Sequence, residues 1–221
     1  MQDLLIVNKF PTEGKSKTRL GKQIGYDSSS QIARLLLEDL IHNASQVCAV
    51  TIVSPIEDVD KFKTEYPEIS VYGAPNGLIP SLSCSIKHQY LTQKSGKVIA
   101  ITGDIVSNEE EINGWFNDLS THDLLVGPTQ DLRLYLAGLD YEFGEYFSQE
   151  LSANPSLRNF LYACFRGISH LPRTKIGKIK RDIDTLDDLR NLPSNIPAVS
   201  DRTRDYARVI LERFNAASSR Y

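Results

Sequence analysis

Residues 8–20 read Asn-Lys-Phe-Pro-Thr-Glu-Gly-Lys-Ser-Lys-Thr-Arg-Leu and carry four cations, Lys9, Lys15, Lys17 and Arg19, around Pro11 and Gly14. They follow the apolar run Leu4–Val7 and precede a long helical pattern, so they form a strand-to-helix loop. Backbone N–H groups in such a loop, with dense positive charge and a helix N-terminus, suit a polyphosphate. The competing reading is a solvated basic loop; the position after the first strand favours the phosphate. A second set of candidates is acidic: Asp104 in Thr102-Gly103-Asp104, and Asp182 and Asp184 in Asp-Ile-Asp-Thr. A carboxylate facing several cations near a phosphate is how Mg²⁺ is held on a nucleotide, with one or two protein carboxylates completed by phosphate oxygens. Each aspartate could instead cap the helix that follows it.

These residues need a frame that brings loop ends together. Apolar runs at Leu4–Val7, Val47–Val53, Ile69–Tyr72, Val98–Thr102, Asp123–Gly127 and Leu132–Leu139 predict six strands, the last two close enough to pair antiparallel. Helices are predicted at Ser28–Ser45 (capped by Asp27 or a nearby serine), Asp58–Tyr66, Leu82–Leu91, Glu109–Leu119, Leu157–Phe165, Leu186–Asn191 and Asp201–Ala217, the last with Tyr206, Val209, Ile210 and Phe214 on one face. A second basic stretch, 171–181, reads as a loop. Repeated βα units predict an α/β fold with three layers, a mostly parallel mixed sheet between helices. One domain over 1–192 is expected, with a linker and terminal helix over 193–221 packing on it or on a neighbour. In such sheets ligands sit beyond the carboxyl ends of the strands. That adds Asn76 and Gly77 after the third strand, and Gly127 and Asp131 after the fifth, to the candidate substrate contacts.

The 221 residues are 41% hydrophobic and 24% charged with net charge −3, so the basic loop is a local feature suited to a small anion. No nucleic-acid or membrane partner is expected. The N-terminal residues lack the pattern of a secretion signal, and three isolated cysteines (48, 84 and 164) argue against disulfides and zinc, so a cytoplasmic setting is expected. Neither the P-loop pattern nor the dinucleotide-binding glycine pattern occurs, and the four histidines are scattered.

Lys9-Phe10-Pro11, Gly14 and Lys17-Thr18-Arg19-Leu20 share the spacing of the opening motif of the nucleotide-diphospho-sugar transferases, within the glycosyltransferase-A-like nucleotidyltransferases. Gly103-Asp104, Gly127-Pro128-x-x-Asp131 and Asp182-x-Asp184-Thr185-x-x-Asp188-Leu189 resemble its later motifs. The 2-phospholactate guanylyltransferases, a sister group, have a related opening and closing motif. Two departures stand out: Val106 replaces a proline, and Leu132-Arg133 replace a glycine pair. The resemblance implies a glycosyltransferase-A-like fold and a Mg²⁺- or Mn²⁺-dependent transfer of a nucleoside monophosphate from a triphosphate to a small phosphorylated acceptor, with pyrophosphate release. Lys17, Arg19 and Asp104 would be catalytic, Lys9, Pro11, Gly14 and Lys15 would cradle substrate, and Asp104 with Asp182 or Asp184 would hold the metal. Two alternatives share the fold: a glycosyltransferase with a nucleotide-sugar donor, and a non-catalytic nucleotide-binding relative. The terminal helix is a candidate homodimer contact.

Overall fold

The computed structural model describes residues 2–75, 84, 96–130, 134–140, 173–180, 182–192 and 198–218. Strands β1 (Gln2–Val7), β2 (Ala49–Pro55), β3 (Ser70–Ala74), β4 (Lys97–Thr102), β5 (Leu124–Pro128), β6 (Leu134–Asp140) and β7 (Thr174–Ile176) form one sheet of order β3-β2-β1-β4-β6-β5-β7. The pairs β1–β2, β1–β4, β2–β3 and β5–β7 are parallel, while β6 runs antiparallel between β4 and β5. The sheet is thus mixed and mostly parallel, and the fold is α/β as expected.

The two central strands explain the order. Leu4, Leu5 and Ile6 of β1 and Val98–Ile101 of β4 are buried without alternation, the pattern of strands covered on both faces. On one face Leu4, Ile6, Ile52, Ile99 and Ile101 pack under helices α2 (Tyr26–Ser45), α3 (Val59–Glu65) and α4 (Glu109–Thr121). On the other, Leu5, Val7, Val53, Val98, Ala100 and Leu139 form a second cluster, against which Cys84 packs. The helices expected at 82–91 and 157–165 fall outside the described residues, except for Cys84, which is helical.

Five local features differ from the sequence reading. A helix α1 (Thr18–Ile24) stands between the basic loop and α2. Helix α2 begins directly after Gly25 without a side-chain cap, so neither Asp27 nor a serine caps it. The second basic stretch contains β7, an edge strand whose Thr-Lys-Ile sequence carries no apolar alternation because both Lys175 and Ile176 face solvent. Helix α5 (Leu186–Arg190) is capped by Thr185, not by Asp184. On the terminal helix α6 (Asp201–Ser218) the buried positions are Thr203, Ala207 and Ile210, while Val209 is exposed. Small side chains at 203 and 207 let α6 lie close on α2 in a third cluster that includes Leu20, Ile32, Leu36 and Leu189. Buried Asn43 of α2 stitches this region together, donating to the carbonyls of Ser107 (3.0 Å) and Ala198 (3.1 Å). No helix among the described residues is long and apolar enough to cross a membrane.

Candidate active site

The basic loop is built, not merely charged. Asn8 leaves β1 by donating its N–H to the Val53 carbonyl at 2.9 Å. Phe10 then anchors the loop: its N–H donates to Asp58 Oδ2 at 3.1 Å, its ring meets the Phe62 ring edge-on at 5.1 Å, and the Arg34 guanidinium lies over it at 5.5 Å. Pro11 is buried. The next turn closes on itself, with Thr12 N–H donating to Ser16 Oγ (2.9 Å) and the N–H groups of Lys15 and Ser16 donating to the Thr12 carbonyl. Gly14, at φ 71°, supplies the left-handed residue that this turn requires. Lys17 also takes a left-handed conformation, φ 48° and ψ 46°, among the described residues the one non-glycine to do so. Such a backbone costs on the order of 1 kcal/mol or more and is held by its surroundings.

The facing wall comes from β4, whose Thr102 is in register with Val7 of β1. Gly103 N–H donates to the Val7 carbonyl at 3.1 Å, and a Cβ on Gly103 would stand 2.6 Å from Asn8 Cγ. Only glycine lets the two loops come this close, and Asp104 follows immediately. A third wall arrives with α5. Thr185 Oγ1 accepts from Asp188 N–H, and Asp188 Oδ2 accepts from the N–H groups of Asp184 (3.1 Å) and Thr185 (2.7 Å). This capping box satisfies the helix start and leaves the Asp184 carboxylate to face the loop. Leu186 N–H donates to Gln23 Oε1 at 2.8 Å, which fixes α5 against α1.

The three walls converge on one ammonium. Lys17 Nζ lies 3.1 Å from Asp104 Oδ2 and 3.1 Å from Asp184 Oδ1, and Arg19 Nη1 lies 3.6 Å from Asp184 Oδ2. The Lys17 side chain is 6% exposed and that of Arg19 65%. Burial pulls the Lys17 ammonium down, but Asp104 and Asp184 outweigh it and hold it above the ordinary lysine range. Burial pushes the Asp104 acid up, but the charge and hydrogen bond of Lys17, with hydrogen bonding from Thr102 and the backbone, together outweigh it and hold Asp104 below the usual carboxylate range. Lys9, Pro11, Lys15, Lys17, Asp104 and Asp184 line a common cleft, together with Asn8 and Ser16, which the sequence reading missed. The hydroxyl of Ser16 at the close of the turn was the available clue. Asp182 is half-buried and is not among the cleft-lining residues. Gly127 lies in β5 away from this cleft, where a Cβ would stand 2.5 Å from the Tyr135 ring. Asn76, Gly77 and Asp131 lie outside the described residues.

A family model described as "Guanylyl transferase CofC like" matches residues 4–154, well over half of the chain. The chain belongs to the CofC-like guanylyl transferase family. No curated protein matches the sequence at a significant level. Among solved structures, the CofC-like chain is similar to a protein assigned as a nucleotide-diphospho-sugar transferase from Desulfovibrio desulfuricans G20 (TM-score 0.80, 19% identity, 96% of this chain and 97% of that one). It is also similar to 4-diphosphocytidyl-2C-methyl-D-erythritol synthase from Anaerococcus prevotii DSM 20548 (TM-score 0.57, 13% identity, 96% and 99% covered) and to Rv0371c from Mycobacterium tuberculosis H37Rv, solved as a manganese complex (TM-score 0.54, 13% identity, 89% and 100% covered). At these identities the likeness establishes a shared fold.

The donor set of the CofC-like chain fits a nucleotide-bound divalent cation. Two carboxylates from separate loops already share one positive charge, with Lys17 standing where a cation belongs. Among the described residues no group of three or more His, Cys, Asp or Glu could form an all-protein metal cage. Two carboxylates with phosphate oxygens completing the shell is the arrangement Mg²⁺ favours, and hard oxygen ligands suit Mn²⁺ equally.

Proposed function

We propose that this CofC-like protein is a Mg²⁺- or Mn²⁺-dependent nucleotidyltransferase that moves a nucleoside monophosphate from a nucleoside triphosphate to a small phosphorylated acceptor. The observation that carries the reading is the Lys17 ammonium shared by Asp104 and Asp184 at the mouth of a cationic loop. An oxygen of the acceptor phosphate attacks the α-phosphorus; the bond from that phosphorus to the bridging oxygen breaks, and pyrophosphate leaves with the electron pair. No protein nucleophile is required, so catalysis is positioning and charge neutralisation. Lys17 supplies the innermost positive charge, kept in place by its left-handed backbone and by burial. Arg19, Lys9 and Lys15, all exposed, supply the outer charge for the triphosphate. Asp104 and Asp184 would hold the divalent cation, which when bound neutralises phosphate charge and polarises the reacting phosphoryl group. Because Lys17 and the hydrogen bonds around it keep Asp104 ionised despite burial, the carboxylate is ready as a ligand at neutral pH.

Glycosyl transfer from a nucleotide sugar has less support. That chemistry on this fold calls for an Asp-x-Asp pair at the end of the central strand, and here Ile105 is buried and Val106 stands where the second acid would be. The family description makes GTP the first triphosphate to test. Pyrophosphate release should be assayed with each of the four ribonucleoside triphosphates, Mg²⁺ or Mn²⁺, and a panel of phosphorylated hydroxy acids and sugar phosphates. Release that needs both one triphosphate and an acceptor is expected. Absence of release across the panel, or near-normal turnover by Arg19→Ala, would sink the assignment.

A further inference from the structure

The two carboxylates of the site come from segments far apart in sequence, and the Lys17 ammonium between them is also a candidate phosphate ligand. Something else has to set their spacing. Lys180 lies four residues before Asp184, and its side chain reaches the loop just after Asp104. Its Nζ donates to the Val106 carbonyl at 2.6 Å, to Ser107 Oγ at 2.7 Å and to Glu111 Oε2 at 2.5 Å. It lies over the rings of Trp115 (5.5 Å) and Tyr135 (5.7 Å), with its side chain 14% exposed. Its backbone is fixed as well: Lys180 N–H donates to the Pro128 carbonyl at 3.1 Å, and its carbonyl accepts from Gln130 N–H at 3.0 Å.

An ammonium has three N–H donors, and all three are used here, so Lys180 has none left for a ligand. Burying a charge for stability alone is a poor bargain, since an apolar side chain among Trp115 and Tyr135 would pack at lower cost. What the charge does secure is a fixed link between the segment leading to Asp184 and the loop leaving Asp104. We propose that Lys180 is a positioning residue for the metal-binding carboxylate pair, a strut that sets the separation of Asp104 and Asp184. This inference rests on the nucleotidyltransferase reading of the site.

The test is Mn²⁺ binding to the full chain, followed by electron paramagnetic resonance with and without GTP, alongside metal-free GTP affinity and thermal melting. Lys180→Met should weaken Mn²⁺ binding by about 10- to 100-fold, the usual effect of losing a group that orients metal ligands, with metal-free GTP affinity within about twofold of the unaltered protein. Lys180→Arg, which keeps the charge, should recover part of the loss. Wild-type Mn²⁺ affinity in a folded Lys180→Met protein would overturn the proposal. If that variant does not fold, Ser107→Ala removes one of the three acceptors and carries the test: weaker Mn²⁺ binding supports the strut, unchanged binding overturns it. Asp104→Asn separates the two readings. If the unaltered protein binds Mn²⁺ no better than Asp104→Asn, the metal site has failed and the strut with it. If Asp104→Asn loses binding and Lys180→Met does not, the strut alone has failed.

Discussion

The chain has two basic stretches, 9–19 and 171–181, and they meet different surroundings. Among the described residues of each, one cation is largely shielded while the others face solvent: Lys17 in the first, 6% exposed, and Lys180 in the second, 14% exposed. Lys17 meets two carboxylates and rises above the ordinary lysine range. Lys180 is pulled below it, because burial outweighs a single Glu111 carboxylate and Lys178 adds to the pull. The first lysine meets two carboxylates in the candidate cleft; the second lies over two aromatic rings and gives its three N–H groups to three acceptors. Runs of positive charge therefore say little by themselves. The partners of the least exposed member are what distinguish the two stretches.

The largest expected contrast is in turnover. Lys17→Ala should reduce pyrophosphate release by about 100- to 1000-fold, the range for losing a charge-stabilising donor, and Arg19→Ala by about 100-fold. Lys178→Ala, an exposed cation of the second stretch, should stay within about twofold. Comparable losses from Lys178 and Lys17 in a steady-state assay would erase the distinction between the stretches.

A second contrast is in alkaline stability. The folded pKa of Lys17 lies above its unfolded value of 10.5, so its stabilisation is complete below that pH and is lost as pH rises through the folded value. The folded pKa of Lys180 lies below 10.5, so between that value and 10.5 the unfolded chain binds more protons and stability rises with pH. Urea unfolding across alkaline pH should show Lys180→Met losing an upward contribution below pH 10.5. Lys17→Met should lose a downward one above it. Slopes unchanged by either substitution would mean that the two ammonium groups do not differ as described.

The smallest effect sharpens the comparison from within the second stretch. Arg173 pairs with Asp123 through its N–H, Nε and Nη2, holding the acid below the usual range, yet its side chain is largely exposed. Arg173→Ala should change unfolding free energy by less than about 1 kcal/mol. A loss well above about 1 kcal/mol would show that solvent exposure is not what keeps this pair weak.

Much of this was legible in the sequence because chemistry and periodicity agreed. Apolar runs marked β1 and β4 as strands, and the basic loop after one and the aspartate after the other made Lys17 and Asp104 candidates; the pairing of β1 with β4 in the structure is what brings the two together. Three things were not legible. Strand β7 has no alternation to betray it, since it is held by backbone pairing to β5 and exposes its side chains. Asp184 and Thr185 are both good capping residues, and only the Asp188 carboxylate folding back on Thr185 decides which one caps. Lys180 looked like any other member of a basic loop, because its aromatic and acidic partners lie 45 to 69 residues away in sequence.

Asn43 divides its two amide hydrogens between the carbonyls of Ser107 and Ala198. The last helix is thereby wired to the loop that follows Asp104. A nick between α5 and α6 that freed the tail would strand a buried N–H and slacken that loop. Damage at the far end of the chain would then reach the loop beside the candidate cleft.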